Sequence, residues 1–428
     1  MKKLLPVVAA SLLLFSCAPK HDPNTIKFMF WGGTEEIKIL ADTVIRFQEE
    51  NPGITVKPSR APSGSFMEKL LTLIAADSAP DVIFVPVDNV AALGTKGALL
   101  DLKPFIEKDS FPINEYYPGL NEAFSYKGKQ LAIPRDIAPI ACLYYNKKYF
   151  EEDGVGFPDE SWKWGDMLAA AKRLTKTGPN GKITRFGITE DWNIWELWVL
   201  SNGGSYVDNQ KNPKKLTLDS PEAAEAINYR RALMHKHRVM PGPAQSSQTG
   251  GAGTADMFVT GRTAMFVSGI WETPLFRQIT EFDWDIALFP PGPKAGKNYR
   301  VPGGASGYGI IVKSKNPEAA WKLIKYLAGE EGLTNLAQTG LVQPAIMKIA
   351  ESKVFLDGQR PKNKKILLKT AEKCIFPPFT YEWEEIRISH VSPKLDVMWY
   401  DQTLTDEDVT KRLKRLTEEV NSLFFKNE

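Results

Sequence analysis

The chain has 428 residues, which exceeds one ordinary domain and suits two. Its 54 basic and 51 acidic side chains leave a net charge of only +3 and are interspersed, so we expect no nucleic-acid partner. Hydrophobic residues make up 43% and charged residues 25%, the composition of a globular protein, and no apolar run after the N-terminus approaches transmembrane length.

The N-terminus has the features of an export signal. Lys2 and Lys3 precede an apolar run over residues 4–15, which is shorter than the ~20 residues of a membrane span. The run ends in Leu-Phe-Ser-Cys, which resembles a bacterial lipobox, so we predict a signal peptide over 1–16 and lipidation of Cys17. The alternative is a plain secretory signal with an incidental cysteine. Two acyl chains would anchor the protein stably to the cell membrane, facing the periplasm or the cell exterior, through a polar tether over 17–25.

The first half of the chain alternates apolar runs and helical patterns. Strands are predicted over 26–30, 54–56 and 79–85, with amphipathic helices between them. The order βαβαβ is typical of a parallel sheet with helices on its faces, so the fold class is α/β.

Residues 131–147, LAIPRDIAPIACLYYNK, contain two apolar runs separated by Pro134, Arg135 and Asp136. Proline keeps the connection extended, so the two runs are interpreted as two buried strands. A charged pair at strand ends lies where ligands bind in open α/β sheets. The alternative is a surface loop with a solvated ion pair.

Several motifs in fixed order resemble one known family. These are WGG and a helix ending in NPGI, then APDVIFV, LLDLKPFIEKD, the LYYNK ending of the stretch above, and MF-x-x-GR-x-AM followed by Trp271. Together they resemble family-1 extracellular solute-binding proteins, the sugar-capturing components of ABC importers. The resemblance implies a two-lobed periplasmic-binding-protein fold of type II with discontinuous lobes joined by a hinge. It further implies a sugar ligand, a membrane permease as partner, a monomer, no cofactor and no enzymatic activity.

We expect the lobes to comprise 26–133 with 285–341, and 134–284 with 342–428. The three crossings are then predicted near residues 134, 285 and 341, and the ligand cleft lies between the lobes.

Residues after the strands of the first lobe are expected to meet at one rim of the sheet. Trp31 follows the first strand and Asp88 the third, and a sugar needs both an aromatic plate and polar partners. Core packing is the alternative for Trp31, and helix capping for Asp88. The predicted contacts of this lobe are Trp31, Gly33, Glu35, Asp88, Arg135 and Asp136.

The second lobe supplies further candidates. Tyr145 matches a family tyrosine that often lies under the sugar. Trp192, Trp195 and Trp198 recur every three residues, so they share roughly one helical face; we expect the first two at the cleft and Trp198 in the core. Trp271 is the favoured stacking residue. The predicted contacts of this lobe are Tyr145, Trp192, Trp195, Trp271, Gly304 in a glycine-rich turn, and Trp383, with Tyr381 as an alternative to Trp383. Core packing is the alternative for the tryptophans and for Tyr381.

Other functions remain open at this stage. A secreted glycosidase would need two carboxylates about 5 to 9 Å apart, for which Asp88 and Asp136 are candidates. A receptor for a non-sugar solute, such as glycerol phosphate, a polyamine or a metal chelate, is a second alternative. Cys142 and Cys374 are either paired or two buried free thiols, and no spacing fits a metal site.

Overall fold

The structure is a computed structural model that describes residues 22–192, 194–242, 253–378 and 380–425. The predicted signal peptide over 1–16, the lipidation site Cys17 and most of the tether over 17–25 lie outside these ranges. None of the helices within them combines the length and the apolar character of a membrane span.

The first lobe is built on a five-stranded sheet. Its first three strands along the chain pair in parallel, as the βαβαβ pattern predicts, because each is followed by a helix that returns the chain to the same edge. Ser306–Ile310 then adds antiparallel to the third strand, and Ile133–Pro134 pairs antiparallel with Ser306–Ile310 at the edge of the sheet. In spatial order the strands are Thr55–Arg60, Thr25–Phe30, Val82–Pro86, Ser306–Ile310 and Ile133–Pro134.

The second lobe contains a four-stranded sheet, in the order Thr189–Glu190, Met265–Ser268, Cys142–Asn146 and Trp284–Leu288. The position of the last strand contradicts the predicted return of the chain to the first lobe near residue 285. Its register pairs Asp285 with Tyr145, and the strand therefore belongs to the second sheet. An apolar run satisfies either sheet equally well, so the sequence pattern could not distinguish them.

A third sheet connects the lobes, in the order Gln343–Pro344, Asp136–Pro139, Val301–Gly304 and Cys374–Ile375. Asp136–Pro139 links Ile133–Pro134 of the first sheet to Cys142–Asn146 of the second. Val301–Gly304 pairs with it antiparallel and leads back to the first sheet. This connecting sheet is therefore where the chain passes between lobes, and the second passage comes about fifteen residues later than the sequence predicted.

Helices cover both main sheets. In chain order they are Thr34–Glu50, Ser63–Ala75, Val90–Thr95, Lys103–Lys108, Pro118–Ala123, Lys147–Glu152, Trp164–Leu174, Trp195–Ser201, Pro221–Met234, Ala255–Val259, Thr273–Phe276, Pro317–Ala328, Glu330–Thr339, Met347–Ala350, Lys365–Ala371, Trp383–Glu385, Ser392–Tyr400 and Asp406–Phe424. A π-helical segment, Ile386–Val391, joins Trp383–Glu385 to Ser392–Tyr400 as one continuous helical rod.

Alternating side chains of the central second-lobe strand show how the core is divided. Cys142 and Tyr144 pack into a hydrophobic cluster that continues from the first lobe, whereas Leu143 and Tyr145 pack into a second cluster on the opposite face. This alternation is the expected consequence of the strand period of two. Cys142 and Cys374 are free thiols, and burial raises the pKa of both.

Candidate functional site

Two adjoining cavities lie between the lobes. The larger has a volume of about 620 Å³ and is walled by the helix Ser63–Ala75 on one side and by the π-helical segment on the other. The smaller, about 240 Å³, reaches down to the connecting sheet at Gly303 and Gly304. Asp88, Trp192 and Arg387 line both cavities, so we treat the two as one cleft.

Trp31 forms part of the first-lobe wall. Its strand ends at Phe30, and the indole then packs edge-on against Phe66 and Phe84, with ring centroids 4.9 Å apart in each case. These two contacts fix the ring while it remains only half-buried in the larger cavity. The structure thus brings Trp31 and Asp88 to the same cavity, as expected for residues that follow neighbouring parallel strands.

Trp192 forms the corresponding wall of the second lobe. It is 45% exposed, and its ring stacks on Trp271 with centroids 5.8 Å apart and planes 20° from parallel. Trp271 itself is folded back over Gly269, where a Cβ atom would lie 2.0 Å from the indole ring. Glycine is therefore required at position 269 for this stack. Trp271 supports Trp192 from behind and does not itself line the cleft.

Two acidic side chains lie beneath this indole pair. Asp191 and Glu272 are hydrogen-bonded to each other and to the Trp271 indole, and the Ser268 hydroxyl donates to Asp191 Oδ2 at 3.0 Å. Burial raises the pKa of both carboxyl groups, and the neighbouring Asp191 charge raises that of Glu272 further. Two carboxyl groups can hydrogen-bond to each other only when one of them carries a proton, in keeping with the raised pKa of both groups.

A cluster of charged side chains, Asp88, Glu384 and Arg387, bridges the cleft. Asp88 of the first lobe is hydrogen-bonded to Glu384 of the second, and Arg387 Nη2 donates to both Glu384 oxygens at 2.9 and 3.1 Å. Burial raises the pKa of Asp88 and Glu384, although Arg387 opposes this in part. Burial also raises the pKa of nearby Glu196 to about 7. Within the described part of the chain, Arg387 Nε is buried without an acceptor.

Arg135 and Asp136 do not reach the cleft. Arg135 Nε donates to Asp136 Oδ2 at 2.6 Å and its Nη1 donates to Glu36 Oε1 at 2.9 Å, while Ser306 donates to both oxygens of Asp136. The pair is 6% and 4% exposed and lies at the start of the connecting sheet. Because these groups are engaged within the protein, we reassign them from ligand contact to joining the lobes. The catalytic pair of Asp88 and Asp136 required by the glycosidase alternative is therefore not assembled.

Two further predicted contacts lie in the core of the second lobe. Tyr145 is 7% exposed and packs against Phe150 and Phe157, because the strand alternation directs it away from the cleft. Trp195 is 1% exposed and packs edge-on against Tyr206. The helix begins only at Trp195, so Trp192 precedes it in a loop and the assumed common face does not exist. Trp198 is in the core, as expected.

Some of the remaining predicted contacts line the cleft and others do not. Gly304 lines the smaller cavity opposite Ala138, and Trp383 contributes to the same cavity while stacking on Tyr206 at 5.1 Å. Gly33 and Glu35, at the start of the helix Thr34–Glu50, line neither cavity of the cleft. Tyr381 is exposed and also lies outside both.

Sequence reasoning missed Glu196, Glu384 and Arg387. Glu384 and Arg387 are three residues apart next to Trp383, a spacing that places them on one helical face beside an aromatic residue already under consideration. This signal could have identified them. Among the described residues, no group of three or more potential ligands is arranged to hold a metal ion. The cleft thus offers aromatic faces, carboxyl oxygens and a guanidinium group, which suits reversible binding.

Comparisons with known sequences give a consistent result. Residues 32–334, more than half of the chain, match the family described as bacterial extracellular solute-binding protein. The chain is 27% identical over 338 residues to a maltooligosaccharide ABC transporter solute-binding lipoprotein of Streptococcus pneumoniae, covering 76% of this chain and 75% of that protein. It is 26% identical to the maltodextrin-binding protein MdxE of Bacillus subtilis, with 77% of each chain covered.

Solved structures agree with the fold. An ABC substrate-binding protein from Listeria monocytogenes in complex with cycloalternan superposes with a TM-score of 0.81 at 25% identity, covering 93% of this chain and 98% of the other. The maltose/maltodextrin-binding domain from Bdellovibrio bacteriovorus bound to maltotriose gives a TM-score of 0.78 at 21% identity, covering 92% and 99%. The two-lobed architecture is thus shared along nearly the whole chain.

Proposed function

The chain is a bacterial extracellular solute-binding protein, and we propose that its solute is an oligosaccharide, which it captures between its lobes and delivers to an ABC importer. The observation that carries the proposal is the composition of the cleft. Trp31 and Trp192 present indoles from opposite lobes to a cavity whose polar side chains include Asp88, Glu384 and Arg387. Indole faces cover the apolar faces of a sugar ring, while carboxylates and guanidinium groups bind its hydroxyls.

The unpaired Nε of Arg387 supports a ligand with acceptor oxygens. A buried donor without an acceptor costs about 1 to 3 kcal/mol, and a sugar hydroxyl or ring oxygen would supply the missing partner. Two cations, Arg387 and Lys96, and the carboxyl groups of Asp88, Glu196 and Glu384 line the cleft, so its charges are mixed and do not select for an anionic solute. An uncharged solute with several hydroxyls matches this mixture of donors and acceptors better than glycerol phosphate does.

The ligands named for similar proteins support the same class. The relatives from Streptococcus pneumoniae and Bacillus subtilis are named for maltooligosaccharides and maltodextrins, and the structure from Listeria monocytogenes holds cycloalternan. All three are oligosaccharides.

The connecting sheet suits a hinge. A ligand that contacts Trp31 on one lobe and Trp192 on the other makes both contacts only when the lobes approach, so it stabilises the closed arrangement. The closed form is then the one that a membrane permease would recognise. We propose that lipidated Cys17 keeps this monomeric receptor at the cell membrane, that no cofactor takes part, and that the sugar leaves unaltered.

A thermal-shift screen tests the proposal. The probes are maltose to maltohexaose, mannobiose to mannohexaose, galactooligosaccharides and cycloalternan, with spermidine and glycerol 3-phosphate as non-sugar probes. A ligand at 100 times its dissociation constant adds about 2.7 kcal/mol of stability. We expect stabilisation by at least one saccharide series, with no products after prolonged incubation. Stabilisation by spermidine or glycerol 3-phosphate alone, or hydrolysis of a saccharide, would contradict the proposal.

A further inference from the structure

A third cavity, about 200 Å³ in volume, lies in the second lobe on the other side of Trp192. Trp192 is the one described residue that lines this cavity and both parts of the cleft. The opposite wall comes from the end of the helical rod, at Trp399 and Tyr400, and from Arg230 of the helix Pro221–Met234. The cavity and the cleft therefore adjoin at the Trp192 side chain.

Two buried hydrogen-bond donors in the walls of this cavity lack acceptors among the described residues. They are Arg230 Nη1 and Trp399 Nε1. Arg230 is 6% exposed; its Nε donates to Glu190 Oε1 at 2.9 Å, and its guanidinium lies 4.3 Å from the centre of the Trp399 ring. These contacts hold the guanidinium in place but leave one of its nitrogens unpaired. Buried donors are rarely left unpaired, so the pair indicates a place for acceptor oxygens.

The charged side chains around the cavity limit the kinds of molecule that it can bind. The Arg230 charge is already balanced by Glu190, and the carboxyl groups of Asp191 and Asp396 also line the cavity. A carboxylate or phosphate group would be repelled by these acids. The apolar part of the wall includes the aromatic rings of Trp192, Trp399 and Tyr400 beside two methionines and a proline, and Tyr400 exposes 61% of its surface at the rim. Aromatic faces with donor groups suit an uncharged ring that carries hydroxyls.

We infer that this cavity is an additional subsite for one uncharged sugar unit of an oligosaccharide that extends from the cleft past Trp192. The inference rests on the proposed function, because it requires that the cleft bind a saccharide. Its volume is below the range of about 300 to 1,000 Å³ typical of complete ligand sites, which fits a single sugar ring. The sugar oxygens accept hydrogen bonds from Arg230 and Trp399, and the ring packs against Tyr400. The subsite thus selects for chain length.

Calorimetric titration with oligosaccharides of increasing length tests this inference. The probes are maltose to maltohexaose and mannobiose to mannohexaose, titrated into the full protein and into Tyr400→Ala and Trp399→Phe. Tyr381→Ala is the matched control, because Tyr381 is 56% exposed and lines none of the three cavities. We expect each cavity variant to lose about 3- to 10-fold in affinity for the longer chains of the binding series and less than 2-fold for its disaccharide. The control should lose nothing.

The outcomes separate this inference from the proposed function. If neither series nor any other saccharide binds the unaltered protein, the proposed function fails and the inference fails with it. If saccharides bind but affinity does not rise with length, or if Tyr400→Ala weakens all lengths equally, only the inference is overturned. A crystal structure with the longest bound oligosaccharide provides a second readout. A sugar ring between Trp192 and Tyr400 supports the inference, and ordered water alone at Arg230 Nη1 overturns it.

Discussion

Trp192 occupies an unusual position for a tryptophan, since it is 45% exposed and lines both the cleft and the third cavity. One face is covered by Trp271, and this support orders the ring before any ligand arrives. Ordering a side chain in advance reduces the entropy lost on binding. The residue is therefore expected to contribute to affinity and little to folding.

We predict that Trp192→Ala lowers saccharide affinity by at least about 10-fold, because a stacked aromatic ring contributes about 1.4 kcal/mol or more through buried area and ring contacts. The melting temperature of the Trp192→Ala variant should differ little from that of the unaltered protein. Trp195→Ala is the contrasting variant: Trp195 is 1% exposed, so the change should reduce the free energy of unfolding by about 3 to 5 kcal/mol. Calorimetric titration and denaturant unfolding measure the two quantities. Equal effects of both variants on stability would contradict this division.

Glu196 gives a prediction for the dependence of stability on pH. Burial raises its pKa from 4.5 to about 7, although Arg387 opposes the shift and Asp88 and Glu384 reinforce it. Between these values the folded state binds more protons than the unfolded state, so this group's contribution to stability falls as the pH rises from 4.5 through 7. Glu196→Gln should flatten the fall in melting temperature across this range. An unchanged slope would show that Glu196 does not titrate there.

At the scale of elements, the connecting sheet depends on a buried charge network. Arg135 links Asp136 of this sheet to Glu36 of the helix Thr34–Glu50, and its guanidinium also lies 4.7 Å from the centre of the Phe84 ring. Removing one partner of a buried ion pair leaves the others uncompensated. The network therefore fixes the point at which the chain leaves the first lobe.

We predict that Arg135→Met lowers the free energy of unfolding by about 3 to 5 kcal/mol, because Asp136 and Glu36 are then buried without their cation. The matched control is Lys108→Met. Lys108 forms an ion pair with Glu318 in which both side chains are more than 60% exposed, and its loss should cost less than about 1 kcal/mol. Urea unfolding measures both. A small effect of Arg135→Met would contradict the assignment of this buried network to joining the lobes.

The elements themselves were largely predictable, since period and turn residues are local signals. The parallel order of the first three strands follows from the βαβαβ pattern, and Trp31 and Asp88 meet because both follow strands of that sheet. The sheet to which Trp284–Leu288 belongs was not predictable, because the sequence of an apolar strand does not indicate which sheet it joins. Nor was the burial of Arg135, whose partner Glu36 is 99 residues away along the chain.

At the scale of the whole molecule, the arrangement of both lobes around one cleft predicts a change of shape on binding. Saturating oligosaccharide should reduce the radius of gyration measured by small-angle X-ray scattering, because contacts to Trp31 and Trp192 draw the lobes together. Trp192→Ala, titrated at the same sugar concentration, should show a smaller reduction. A radius that stays constant while calorimetry reports binding would mean that the ligand enters without domain movement.

The placement of Ser306–Ile310 between Val82–Pro86 and Ile133–Pro134 has a consequence for biosynthesis. The chain is synthesised from its N-terminus. More than two hundred residues follow the opening βαβαβ unit before this inner strand of its sheet has been made. The second sheet, which needs only residues 142–288, is complete by then. The first sheet is therefore begun at the N-terminus and completed only by a strand that follows every strand of the second sheet.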